Sequence, residues 1–211
     1  MPKIKIAEEN LMQRVYFPAE IRVAQGDGEP TRIYGYAALF DSFSVDLGGF
    51  REKIQRGTFL ETIASDDIRA LFNHDPNLIL GRNKSGTLRL SEDETGLAYE
   101  IQVPATQAGR DLVESIRRGD ITQNSFGFRV LPDGAEWKEE ADGTLIRILK
   151  KVKLYDISPV TYPAYPDTEL ALREEMLGKA RERLTESREL PQKGRSVALL
   201  KRVLDLTEMD R

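Results

Sequence analysis

Between Arg14 and Tyr165 the chain runs as short stretches rich in β-branched and aromatic residues, each closed off by glycine, aspartate or proline. That punctuation restricts the fold more than any other feature, because it leaves little room for long helices. "RVYFPAEIRV" and "TRIYGYAALF" read as strands on either side of the turn former "AQGDGEP". "GTLRLSED" and "GLAYEIQVP" form a second candidate pair, and "NSFGFRVLP" and "GTLIRILKKVKLYDISPV" supply more strands around "DGAEWKEEADG", which reads as a hairpin with a long polar tip. Two helices interrupt the pattern. "TQAGRDLVESIRRGD" sets Leu112, Val113 and Ile116 on one face, with Thr106 as N-cap and Gly119 beyond its last arginines. "GTFLETIASDD" predicts a shorter one. The expected class is therefore α+β, mainly β: a barrel or curled sheet with packed helices.

The flanks differ from this core. Residues 1–13 read as a polar leader, residues 14–168 as the β domain, and residues 169–211 as a charged helical extension. In the extension Leu170, Leu177 and Leu184 recur at heptad spacing, and Val197, Leu200, Val203 and Leu204 form a second stripe beyond Pro191 and Gly194. Two heptads are too few for a coiled coil on their own. The extension is read either as a solvated helical hairpin or as a docking element for a partner helix.

Composition removes several function classes. The 211 residues suit one domain with extensions or two small ones. Lysine and arginine number 31 against 35 acids, a formal charge of −4, so no general attraction to nucleic acid is expected. No apolar run approaches the roughly 18 residues that span a bilayer, and "MPKIKIAEENLMQRV" does not read as a signal peptide; the expectation is a soluble cytoplasmic protein with no membrane partner. There is no cysteine and one histidine, His74, which rules out disulfides, thiolate nucleophiles and zinc sites of the Cys- or His-rich kind. No phosphate loop or dinucleotide fingerprint is present, and neither cofactor nor metal is expected.

A serine nucleophile assisted by the single imidazole stays open, since a serine attacks at neutral pH only if a base takes its proton. His74 sits in "ALFNHDPNLILGR", where Asn73, Asp75 and Pro76 form turns, so it reads as a turn residue or as a base delivered between two apolar strands. Ser125 sits in "ITQNSFGFRV" beside Gly127, a glycine that within a strand marks a close approach or a bulge. Asp156, in "VKLYDISPVTYPAYPD", needs a partner if buried. That partner is His74, or else Arg82 or Arg129 in an ion pair. Ser158 is a poorer nucleophile, because Pro159 restricts the backbone there and no glycine adjoins it.

In their order and spacing, "LFNHDPNLILGR", "SFGF" and "LYDISPVTYPAY", preceded by "GYAALFDSFS" and "FREKIQRGTF", resemble the prohead maturation proteases of tailed bacteriophages over roughly residues 30 to 168. That family is similar in fold to herpesvirus assembly proteases, which implies a β-barrel surrounded by helices. Carried over by position, the resemblance makes Ser125 the nucleophile, His74 the general base and Asp156 the residue that orients the imidazole. The family's usual residue at this last position is a glutamate, one methylene longer. Gly81, Arg82, Phe126 and Gly127 become the expected oxyanion- or substrate-binding positions. The implied activity is cleavage of major capsid and scaffolding proteins, and of the protease itself, inside the assembling prohead in the host cytoplasm. Residues 169–211 would then serve self-association or scaffold docking. A non-enzymatic assembly factor that keeps the fold is the alternative, and a general esterase a third reading.

Overall fold

The computed structural model describes residues 12–17, 21–44, 46–47, 49–162, 177–182 and 185. Among the described residues, the strands and α-helices up to Val160 run in the order β1 (Gln13–Phe17), β2 (Ile21–Ala24), β3 (Arg32–Leu39), β4 (Phe50–Ile54), α1 (Leu60–Ser65), β5 (Arg69–Phe72), β6 (Asp75–Arg82), β7 (Leu88–Glu92), β8 (Gly96–Gln102), α2 (Gln107–Arg117), β9 (Gln123–Val130), β10 (Ala135–Glu139), β11 (Leu145–Leu149) and β12 (Val152–Val160). The mainly β, α+β class read from the sequence is what the chain adopts. Thr106 caps α2 as expected, its Oγ1 accepting the Gly109 amide at 3.2 Å, and Leu112, Val113 and Ile116 face the core.

The strands do not close into the expected barrel. They form a five-stranded sheet in the order β1-β9-β12-β5-β6, a four-stranded sheet β2-β3-β8-β7 and a three-stranded sheet β10-β11-β4. The 3-10 turn Asn83–Ser85 ends on Gly86 in the left-handed region (φ 75°) and carries the chain from β6 of one sheet into β7 of another. The two larger sheets therefore meet through side chains. Ile33, Leu97 and Ile101 face Phe126, Phe128, Leu154 and Ile157 in one continuous core. Tyr99 adds a polar tie, its hydroxyl donating to Asn124 Oδ1 at 2.8 Å, which fastens the residue before Ser125 to the opposite sheet. Burial pushes the Tyr99 phenol well above its ordinary range.

Two segments divide differently from the sequence reading. "RVYFPAEIRV" contributes to two sheets: β1 pairs with β9 and β2 with β3. Pro18 between them has no amide to extend a ladder. The polar tip around Trp137 is itself a strand, because Trp137 packs on Phe50 (ring centroids 5.1 Å apart) and lies near the Arg147 guanidinium. The turn is then only Glu140 to Thr144, and "GTLIRILKKVKLYDISPV" breaks into β11 and β12 where Lys150 and Lys151 both donate to Gly134 O. Arg147 is fully buried and paired with Glu52 at 2.8 Å and Gln13 Oε1 at 2.6 Å, joining β1 to the three-stranded sheet.

Residues 177–182 are helical, and Leu177 and Ala180 bury against Leu47, Phe50 and Leu145. Leu170, Leu184, Val197, Leu200, Val203 and Leu204 lie outside the described residues, as does the leader before Met12. Among the described residues no helix is long and apolar enough to cross a membrane.

Candidate active site

β5 and β6 form a hairpin in which Phe72 pairs with Asp75, leaving Asn73 and His74 as a two-residue loop. Both have positive φ, 53° and 56°, as a type I′ turn requires. Neither is glycine, so the conformation costs about 1 kcal/mol or more at each residue and must be held by its surroundings. β12 holds it. The Asn73 amide donates to Pro159 O at 3.0 Å, and the Asn73 side chain exchanges hydrogen bonds with Thr161, Nδ2 to Oγ1 at 3.1 Å and the Thr161 amide to Oδ1 at 2.8 Å. His74 is thus both a turn residue and one whose imidazole is fixed in space.

That imidazole lies between the two other polar groups singled out in the sequence. His74 Nδ1 is 2.5 Å from Asp156 Oδ1, and Nε2 is 2.8 Å from Ser125 Oγ. A carboxylate can only accept, so Nδ1 carries the proton and Nε2 presents its lone pair to the serine hydroxyl. The single Ser125 proton has a second acceptor in Val15 O, at 3.1 Å. All three side chains are buried, Asp156 and Ser125 being 3% and 1% exposed. Asp156 pairs with His74, not with Arg82 or Arg129.

The strands explain the convergence. β9 and β12 are antiparallel, with Ser158 opposite Ser125 and, after a register shift at Leu154/Asp156, Asp156 opposite Gly127. Alternation along β9 sends Phe126 and Phe128 to the core, where their rings lie 5.0 Å apart, and leaves Ser125 and Gly127 on the other face. What approaches Gly127 is the acid rather than a ligand: a Cβ there would sit 2.3 Å from Asp156 Oδ2 and 3.2 Å from Cγ. Gly127→Ala should therefore displace the carboxylate from His74 and lower turnover at least about a hundredfold. Because the end of a short side chain can swing aside, its melting temperature should stay near that of the parent. Activity assays beside thermal unfolding check this, and undiminished turnover would refute the role given to the glycine.

The other expected binding positions stand elsewhere. Phe126 is wholly buried, edge-on to Phe59, and does not face the site. Gly81 packs against β7, where a Cβ would meet Thr87 O at 2.8 Å. The backbone of Arg82 lies two strand spacings, roughly 10 Å, from that of Asp156. Its guanidinium forks onto Asp67 at 2.7 Å on both oxygens, holding that carboxyl down at about 2. Gly81 thus packs against a neighbouring strand, and the Arg82 guanidinium is engaged in an exposed ion pair. A cavity of about 1030 Å³ between β6, the end of β8 and α2, lined by Ile79, Arg82, Val103, Arg110, Val113 and Arg117, does not include the three residues.

An imidazole held between a hydroxyl and a buried carboxylate is the constellation of serine hydrolases. The chain belongs to the caudovirus prohead serine protease family, whose model matches residues 18–182, a span that contains Ser125, His74 and Asp156. The prohead protease of Escherichia phage T5 is 32% identical over 108 residues, covering 51% of this chain and 47% of the T5 protein; the chain spans about half the length of this curated relative. The solved structure of the bacteriophage T4 capsid assembly protease, gp21, aligns with 72% of this chain and 98% of its own, at 13% identity and a TM-score of 0.48.

Proposed function

We propose that this chain is a serine endopeptidase that cleaves capsid and scaffolding proteins, and itself, inside the assembling prohead. Ser125 attacks the peptide carbonyl, His74 takes the serine proton at Nε2 and returns it to the leaving amine, and Asp156 holds the Nδ1–H tautomer and offsets the charge of the imidazolium. The observation that carries this reading is the continuous chain of contacts from Ser125 Oγ through His74 to Asp156, at 2.8 and 2.5 Å. A scaffold that merely kept the fold would need neither the strained Asn73-His74 turn nor a buried carboxylate aimed at the imidazole. The likeness to herpesvirus assembly proteases comes only through the family resemblance, and residues 169–211 are offered as the segment for self-association or scaffold docking.

The test is co-expression with the major capsid protein of the same phage, followed by intact-mass measurement. Shortened capsid protein is the expected product. Capsid protein of unchanged mass, with model esters still hydrolysed, would replace the endopeptidase reading with that of an esterase.

A further inference from the structure

Asp156 Oδ1 accepts a second hydrogen bond on the same oxygen that meets His74. Its donor is Ser158 Oγ at 2.8 Å, and Ser158 is wholly buried. Two positions apart on one strand, the side chains of residues 156 and 158 project from the same face. That face also carries Ser125, directly opposite Ser158, and Gly127, directly opposite Asp156. The carboxylate lies over the space that Gly127 leaves empty. We infer that Ser158 is a positioning residue of the active site, a fourth member that fixes the orientation of the Asp156 carboxylate toward the imidazole. The inference rests on the proposed serine-protease reading and extends it.

The physical case has two parts. First, a carboxylate with one partner can tilt and rotate about its last bond, whereas one held by two donors from different directions is restricted to the plane that suits both. Second, a carboxylate buried away from water needs hydrogen-bond donors in its place, and Ser158 supplies one. The segment also links acid to base. Ser158 seats the carboxylate, and the next residue, Pro159, accepts the Asn73 amide that anchors the histidine turn. The bland alternative is a buried hydroxyl that takes the nearest acceptor for its own sake. It predicts a change in stability alone.

Ser158→Ala separates the two. The expected result is a fall in kcat of about ten- to a hundredfold, the range of a hydrogen bond to a charged group, with KM within about twofold. Ser158→Thr, which retains the donor, should recover most of the loss. Because His74 is the only histidine, its Nδ1 proton gives a single identifiable downfield NMR signal. That signal should move and broaden when Ser158→Ala is added to Ser125→Ala, a comparison that needs no activity. A lowered melting temperature with kcat and the imidazole signal both unchanged would overturn the inference. If Ser125→Ala itself stayed active, the assigned nucleophile would fall, while the His74 signal would still report on Ser158.

Discussion

Ser125→Ala should reduce peptide cleavage by about 10⁵- to 10⁶-fold in kcat, and His74→Ala by nearly as much, with no further loss when the two are combined. The reason lies in the geometry. The serine oxygen is useful only while Nε2, 2.8 Å away, can receive its proton, and the imidazole is useful only while a nucleophile faces it. Removing either member disables one unit, so the two losses cannot multiply. No second histidine exists to take over as base. Residual rates then come from substrate binding and any remaining oxyanion donors. Single-turnover rates on purified wild-type, single and double variants decide it. Losses that multiply would mean that Ser125 and His74 act independently, and a Ser125→Ala variant within tenfold of wild type would remove the nucleophile assignment. The parent fold should persist in Ser125→Ala, because the change deletes one buried oxygen, worth about 1 kcal/mol as a hydrogen bond, and leaves the β9 ladder untouched.

Residue types alone left His74 open between a turn residue and a base, and it was the family's motifs that joined it to Ser125 and Asp156. With one histidine and no cysteine, an imidazole-assisted serine could use only residue 74. Strand segments and the α2 cap were legible for a different reason, since alternation and capping are local. Register and sheet partnership are not local. Nothing in "RVYFPAEIRV" says that its two halves join different sheets, and nothing in "DGAEWKEEADG" says that Trp137 has Phe50 and Arg147 to pack on. Gly127 was noticed as a point of close approach, but only the pairing of Asp156 with Gly127 across β9 and β12 identifies what approaches. Ser158 is placed by the same alternation. A polar residue two positions from a buried aspartate shares its face, which makes it a partner for the acid before it is a rival nucleophile. The pairing of Arg82 with Asp67, fifteen residues earlier, is likewise a matter of strand placement that the local sequence does not announce.

Asp156→Asn should lower kcat by about 10⁴-fold, less than loss of Ser125, because the base remains in place without its counter-charge. An asparagine here has two orientations with different consequences. With its oxygen in the Oδ1 position it still accepts from His74 Nδ1 and from Ser158 Oγ, so the tautomer survives and only the stabilisation of the imidazolium is lost. With its nitrogen there it would donate to Nδ1, drive the proton to Nε2 and leave no lone pair for the serine. Ser158 bears on both, since its hydroxyl, 2.8 Å from Oδ1, can donate to the oxygen or accept from the nitrogen. Adding Ser158→Ala to Asp156→Asn removes that partner in either orientation, so the two changes should be coupled rather than additive. Asp156→Glu keeps the charge but must fit another methylene between the strand and an imidazole already 2.5 Å from the carboxylate. Its expected rate lies between those of aspartate and asparagine. If Asp156→Asn cleaves like the wild type, the carboxylate is a buried structural group and the site works as a serine–histidine dyad. If Asp156→Glu falls below Asp156→Asn, placement of the oxygen outweighs its charge, and the seat formed by Gly127 and Ser158 contributes more to catalysis than the negative charge it holds.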